Sequence, residues 1–138
     1  MIIGITGNLR SIADSAWIST TDEIKTKARS EEDVSRVTKF LAKNMHTSPF
    51  ECVTLNIESN NEDDIYIFKN SNFSKYHFDE KMSSHIITID LWNFSKICHL
   101  DNFSSKSIAA WNALKEFDFK IFEAVSLFDF SKKDEDVL

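Results

Sequence analysis

The chain has 138 residues, 42% of them apolar and twelve of them Phe, with a net charge of −6 and a pI near 5.2. That is enough apolar material for one folded core and excludes a disordered chain. The acid excess, with no run of Lys or Arg, argues against nucleic acid or an anionic membrane surface as the main partner.

Ile2, Ile3 and Ile5 predict a short first strand, ended by Gly7-Asn8. Leu9 to Trp17 reads as a helix with Ile12, Ala16 and Leu9 inward, and the polar stretch Ser19–Arg29 as a loop. The amino-terminal apolar run is too short for a signal peptide and lacks a basic region. No segment approaches the ~18 apolar residues of a membrane span, and the expected location is cytoplasmic.

Ser30 then caps a second helix, with Asp33 at the capping-box position and three acids in the first turn. Val34, Val37 and Leu41 recur at helical spacing. Asn44 suits the helix end, and Pro49 bars a helix from continuing through it. From Glu51 the residues alternate, with Glu51, Val53, Leu55 and Ile57 on the apolar row, which predicts a strand. Glu51 is the one acid on that row.

Asn60–Asp64 (NNEDD) is expected to be a solvated loop, because it lacks the spaced ligands and turn glycine of a cation loop. Ile65–Phe68 reads as a brief strand, and Ser71–Ser84 carries no clear period. His85–Leu91 predicts a strand with Ile87, Ile89 and Leu91 on one face. Trp92–Leu100 follows as a short helix. Ser104 or Ser105 then opens one long helix to about Phe128, striped by Ile108, Trp111, Leu114, Phe117, Ile121, Ala124, Val125 and Phe128. Residues 1–130 form one domain on this reading, and 131–138 a charged tail. The fold class is α+β, a small mixed or antiparallel sheet backed by helices.

Little in the composition carries chemistry. Two glycines, Gly4 and Gly7, are too few for a dinucleotide fingerprint or a P-loop. His46, His77, His85 and His99 form no close helical pair, and Cys52 and Cys98 lack CxxC spacing, which argues against zinc. The two cysteines are expected to be buried, reduced thiols. No Ser is flanked by nucleophile-elbow glycines.

One stretch speaks of ancestry. The run EEDVSRVTKFLAKNMHTSPFECVTLNI resembles the part of flavin-dependent thymidylate synthases in which a helix ends in a His-x-Ser/Thr-Pro-Phe-Glu corner leading into a strand. Asn8–Thr20 is similar to that family's first helix, and IITIDLWNFSKICHL with the Trp111 helix and Phe122-Glu123-Ala124 to its late strand and closing helices. Together these cover about two-thirds of the chain. The resemblance implies the fold of the thymidylate synthase-complementing proteins, which bind FAD and dUMP at the subunit interfaces of a tetramer. It also implies one-carbon transfer from methylenetetrahydrofolate, with NADPH as reductant. His46, Ser48 and Glu51 would then fall at the flavin corner and Lys96 at a ligand position of the late helix.

The departures from the family point the other way. Its Arg-His-Arg signature after the strand is absent, replaced by a compressed Asn60–Ser84 region. Where the family places polar or arginine ligands, this chain has Asp90, Trp92, Lys96 and Asp101, and its only arginines are Arg10, Arg29 and Arg36. Phosphates are best held by bidentate guanidinium groups, which lysine does not replace. An Asp facing a phosphate at ~4 Å costs about 4 kcal/mol at an effective dielectric near 20, on the order of a thousandfold in binding.

The expectation is therefore a shortened, non-catalytic relative that associates with itself or with another protein, with no membrane partner. No cofactor is expected, FAD being the one that would bind if the ancestral site survives. The alternatives are a minimal FAD-dependent thymidylate synthase, with Lys96, Lys75 or Lys81 in place of arginines, and a nucleotide binder without turnover.

Overall fold

A computed structural model describes residues 1–20 and 30–132. Most of the segment read as a loop, Ser19–Arg29, and most of the charged tail fall outside the described residues. The rest is an α+β domain built on a four-stranded antiparallel sheet, ordered β1-β2-β4-β3. Its strands are β1 (Ile2–Thr6), β2 (Thr54–Ser59), β3 (Ser74–Asp79) and β4 (Ser84–Asp90). The helices are α1 (Leu9–Thr20), α2 (Glu31–Lys43), α3 (Tyr66–Lys69), α4 (Leu91–Leu100), α5 (Ile108–Phe117) and α6 (Phe119–Val125).

Register explains the two faces of the sheet. Ile3 pairs with Ile57 and Ile57 with Ile87, while Ile5 pairs with Leu55 and Leu55 with Ile89. These rows lie on one face, and Leu55, Ile57 and Ile87 have no exposed surface. The alternate row, Gly4-Asn56-Thr88-Lys75, faces away. A Cβ added at Gly4 would meet no atom within 4 Å, Asn56 and Lys75 are exposed, and Thr88 Oγ1 donates across the strands to Asn56 Oδ1 at 2.8 Å. The helices therefore back one face, and alternation is what specifies which.

Local chemistry sets the helix ends. Asn8 Oδ1 accepts from the Ser11 amide at 2.9 Å, and Ser11 Oγ accepts in return from the Asn8 amide at 3.1 Å. Ser30 Oγ accepts from the Asp33 amide at 3.0 Å, as the sequence predicts. Ile12, Ala13 and Ala16 of α1 and Val34, Leu41 and Ala42 of α2 are buried, and an Arg10–Glu31 ion pair at 2.9 Å links the two helices.

Three expectations are corrected. Ile65–Phe68 is not a strand: Ile65 and Phe68 are buried while Tyr66 is exposed, a spacing of three that belongs to the helical turn α3. Asn61 starts this region by accepting from the Asp63 amide at 3.0 Å, opening a 3₁₀ turn (Glu62–Asp64) that runs into α3. The aperiodic Ser71–Ser84 region holds β3 and a tight turn. The long helix is broken at Asp118, whose extended backbone (φ −149°) ends α5 and whose carboxylate caps α6 through the Ile121 amide at 3.1 Å. Phe117 thereby leaves the apolar stripe and stands exposed. Glu51 precedes the strand, in a 3₁₀ turn (Ser48–Cys52), and so is not on the buried row.

The two cysteines also diverge. Cys98 is buried, but Cys52 is exposed, and both are free thiols. Cys52 Sγ donates to the Pro49 carbonyl at 2.8 Å within the turn.

Candidate functional site

The corner is shaped by the end of α2. Met45 takes a left-handed backbone (φ 56°). The His46 amide reaches back to the Leu41 carbonyl at 2.9 Å and the Met45 amide to Ala42 at 3.2 Å. These are the two bonds of a Schellman ending, usually made around glycine. His46 then stacks on Phe40 with centroids 6.2 Å apart. The Phe50 amide bonds the Thr47 carbonyl at 3.0 Å, starting the 3₁₀ turn.

Phe50 anchors that turn in the core. Ser48 and Glu51 flank it on the surface. Three of the four predicted site residues, His46, Ser48 and Glu51, therefore share one exposed corner. Packing of α4 against the turn, and a 2.8 Å bond from the Leu91 amide to the Val53 carbonyl, fix its position beside β4.

The second half of the candidate site is α4. Asp90 caps this helix with both oxygens: Oδ2 accepts from the Asn93 amide at 3.0 Å and Oδ1 from Asn93 Nδ2 at 2.7 Å. Trp92 stacks on Phe130 at 5.8 Å and meets Phe128 edge to face at 5.2 Å. Asp101 closes the far end, its Oδ2 accepting from the hydroxyls of Ser104 and, at 2.7 Å, Ser107. Those hydrogen bonds, led by Ser104, hold the Asp101 carboxyl below the usual carboxylate range, so it is ionised at neutral pH.

Of these four positions, Lys96 and Asp101 line a cavity. It is an open groove of about 510 Å³ between α4 and the 70–73 loop, lined also by Asn70, Phe73 and Asn93. The Lys96 ammonium lies 5.0 Å from the centre of the Phe73 ring and 5.4 Å from that of Trp92. None of His46, Ser48 and Glu51 lines this groove. Lys75 lies on the open row of β3 and Lys81 in the β3–β4 turn, so the three lysines are not gathered.

Phe73 and Asn93 were not singled out from the sequence. For Asn93 a signal existed: Asp90-x-x-Asn93 at a strand-to-helix junction is a capping pattern. Phe73 sits in an aperiodic loop and gave none. Asn93 Oδ1 and Ser95 Oγ are buried and, among the described residues, without hydrogen-bond partners.

Burial raises the Cys98 thiol far above its ordinary range, which leaves no thiolate nucleophile there. Among the described residues no group of three His, Cys, Asp or Glu side chains could hold a metal ion. None of the described helices is long and apolar enough to cross a membrane.

Comparison with known proteins adds no relative. No family model matches the sequence, and no curated protein matches it. The class that fold and geometry define is thus a small α+β domain with a four-stranded antiparallel sheet.

Proposed function

We propose that this chain is a non-catalytic relative of the flavin-dependent thymidylate synthases that acts through association with protein, either a second copy or another subunit. The observation that carries the reading is the work done by the two aspartates standing at ligand positions of the resemblance. Asp90 is occupied as the cap of α4 and Asp101 as the clasp of its far end. The charged residues lining the groove are Lys96 and Asp101, one of each sign. A dianionic phosphate there meets one ammonium and one carboxylate, which is no net attraction.

A second reading, a minimal flavoenzyme, draws support from the same groove. The unpartnered Asn93 Oδ1 would be relieved by a ligand donor, and Lys96 over Phe73 would suit an anionic planar ring. Absorbance of freshly purified protein separates the two. The association reading expects no flavin band near 450 nm (a general property of flavins), no uptake of added FAD and no methylation of dUMP, with a partner or second copy found by native mass spectrometry and pull-down. A yellow protein that methylates dUMP overturns it.

A further inference from the structure

The sheet has two edge strands, β1 and β3. β1 lies near α5, and β3 pairs with β4 and lies near the short α3. Among the described residues, the outward-turned backbone groups of alternate β3 residues from Lys75 to Asp79 pair with no further strand, while the Ser74 amide is taken by the Ser71 carbonyl at 3.4 Å. Such an edge is a template for another strand unless something blunts it. It contains no Pro, and it carries the exposed aromatic Phe78 beside the half-buried Tyr76.

Symmetry narrows what a second copy could do here. In an antiparallel pair related by a two-fold axis, residue i faces residue j and j faces i, so both have the same parity. Of the registers this allows, the one centred on His77 sets Lys75 opposite Asp79 of the other copy, twice. It also sets Tyr76 opposite Phe78, twice, and His77 opposite itself. Tyr76 and Phe78 lie on the helix-backed side of β3, while Lys75, His77 and Asp79 lie on the open side, so each cross-pair meets on a common face. The register centred on Tyr76 instead leaves Lys75 against His77 and Asp79 unmatched.

We propose that two copies of this chain pair antiparallel along β3 in the His77-centred register, joining their sheets into one eight-stranded sheet. The inference rests on the association reading and names the surface and the occupant. The Lys75–Asp79 pairs set the register, and the Tyr76–Phe78 pairs cover the exposed ring. The carboxylate of Asp79 already turns one oxygen to the Lys81 amide at 3.0 Å, which leaves its second oxygen for the lysine.

The test uses the full chain with Cys52→Ser, so that the exposed native thiol does not interfere. His77→Cys is expected to form an intermolecular disulfide under mild oxidation, because the self-paired residue brings two Cα atoms within ~5.5 Å. Lys75→Cys alone is expected not to, since in this register each copy lies ~13 Å from the other. Lys75→Glu is expected to weaken the dimer at least about tenfold by native mass spectrometry and sedimentation, because it turns two attractive pairs repulsive. Circular dichroism of each variant checks that the exposed substitutions leave the fold intact. A dimer that cross-links equally at both positions, or ignores Lys75→Glu, overturns the edge pairing and leaves association standing. A monomer that captures another subunit overturns the edge pairing alone, and one that captures nothing overturns both.

Discussion

The ring of Phe50 meets the ring of Phe128 edge to face, with centroids 4.9 Å apart and planes at 71°. This contact ties the Ser-Pro-Phe-Glu corner to the segment after α6, two parts of the chain separated by most of the sheet. Phe128 also touches Trp92 and His99, and the Asp129 amide points at Met45 Sδ from 3.3 Å. The corner is held from behind by aromatic packing.

Truncating Phe128 should therefore be felt at the corner as well as in the core. Phe128→Ala is expected to cost about 3–5 kcal/mol of unfolding free energy by urea titration, the range for a buried aromatic replaced by a cavity. Phe40→Ala, at a largely exposed ring, is expected to cost less than about 1 kcal/mol. Equal losses in the two variants would mean that the Phe50–Phe128 contact does not anchor the turn.

The cap of α4 gives a second, independent check. Asp90→Ala removes the acceptor for two Asn93 donors and is expected to cost about 1–2 kcal/mol, while Asp90→Asn is expected to cost a few tenths, since Asn caps nearly as well. Thermal melts of both variants measure this. An Ala variant as stable as the parent would show that Asp90 is not occupied as a cap, and with it would fall the argument that this acid serves the fold.

How far the sequence led can be judged at particular residues. Alternation at Leu55-Ile57 and Ile87-Ile89 identified the two central strands, because burial on one face imposes a period of two whatever the loops do. The Ser30 cap was legible for the same kind of reason, being local chemistry within four residues. The edge strand β3 was not, since only one side of it is paired and its side chains (Lys75, His77, Phe78) are exposed. The break at Asp118 is hidden in the sequence because a helical stripe on either side of a cap is continuous in apolar spacing. At the candidate site, the grouping of His46, Ser48 and Glu51 was legible from their adjacency. The separate location of Lys96 depends on how α4 packs against the 70–73 loop, which no local pattern encodes.

The turn between β3 and β4 carries avoidable strain. Ser83 has a left-handed backbone (φ 50°) and is exposed, so its side chain offsets little of that cost. Ser83→Gly is expected to raise stability by about 0.5–1 kcal/mol, the relief of a left-handed non-glycine residue less the extra freedom of glycine when unfolded. Denaturant titration reads the change, and a loss of stability would show that Ser83 contributes contacts beyond its backbone.

Thiol accessibility separates the two cysteines. Under native conditions one thiol, Cys52, is expected to react with an aromatic disulfide reagent, and two once the chain is unfolded. Partial burial, aided by the Asp14 carboxylate, pushes the Cys52 thiol up. Its labelling should therefore be slower than that of a model thiol at pH 7.5 and should accelerate as pH rises. Two fast-reacting thiols in the folded protein would place Cys98 outside the core.

His99 makes stability depend on pH in a definite direction. Its ring is surrounded by Phe103, Trp111, Phe128 and Phe130, at centroid distances of 4.9 to 6.3 Å. Burial lowers its titration below the usual range, partly opposed by the Val125 carbonyl 3.3 Å from Nε2. The unfolded chain thus takes up a proton near pH ~6.5 that the folded chain still refuses. The stability owed to the neutral ring is complete above that pH and declines as pH falls through the unfolded value towards the lower folded one. Urea midpoints measured between pH 7.5 and 5.5, above the range where carboxylates titrate, should fall for the native protein and fall less for His99→Gln. The aromatic cluster supplies the reason: four rings pack around the imidazole, so protonation there opposes the packing that holds α4, the corner and the last turn together.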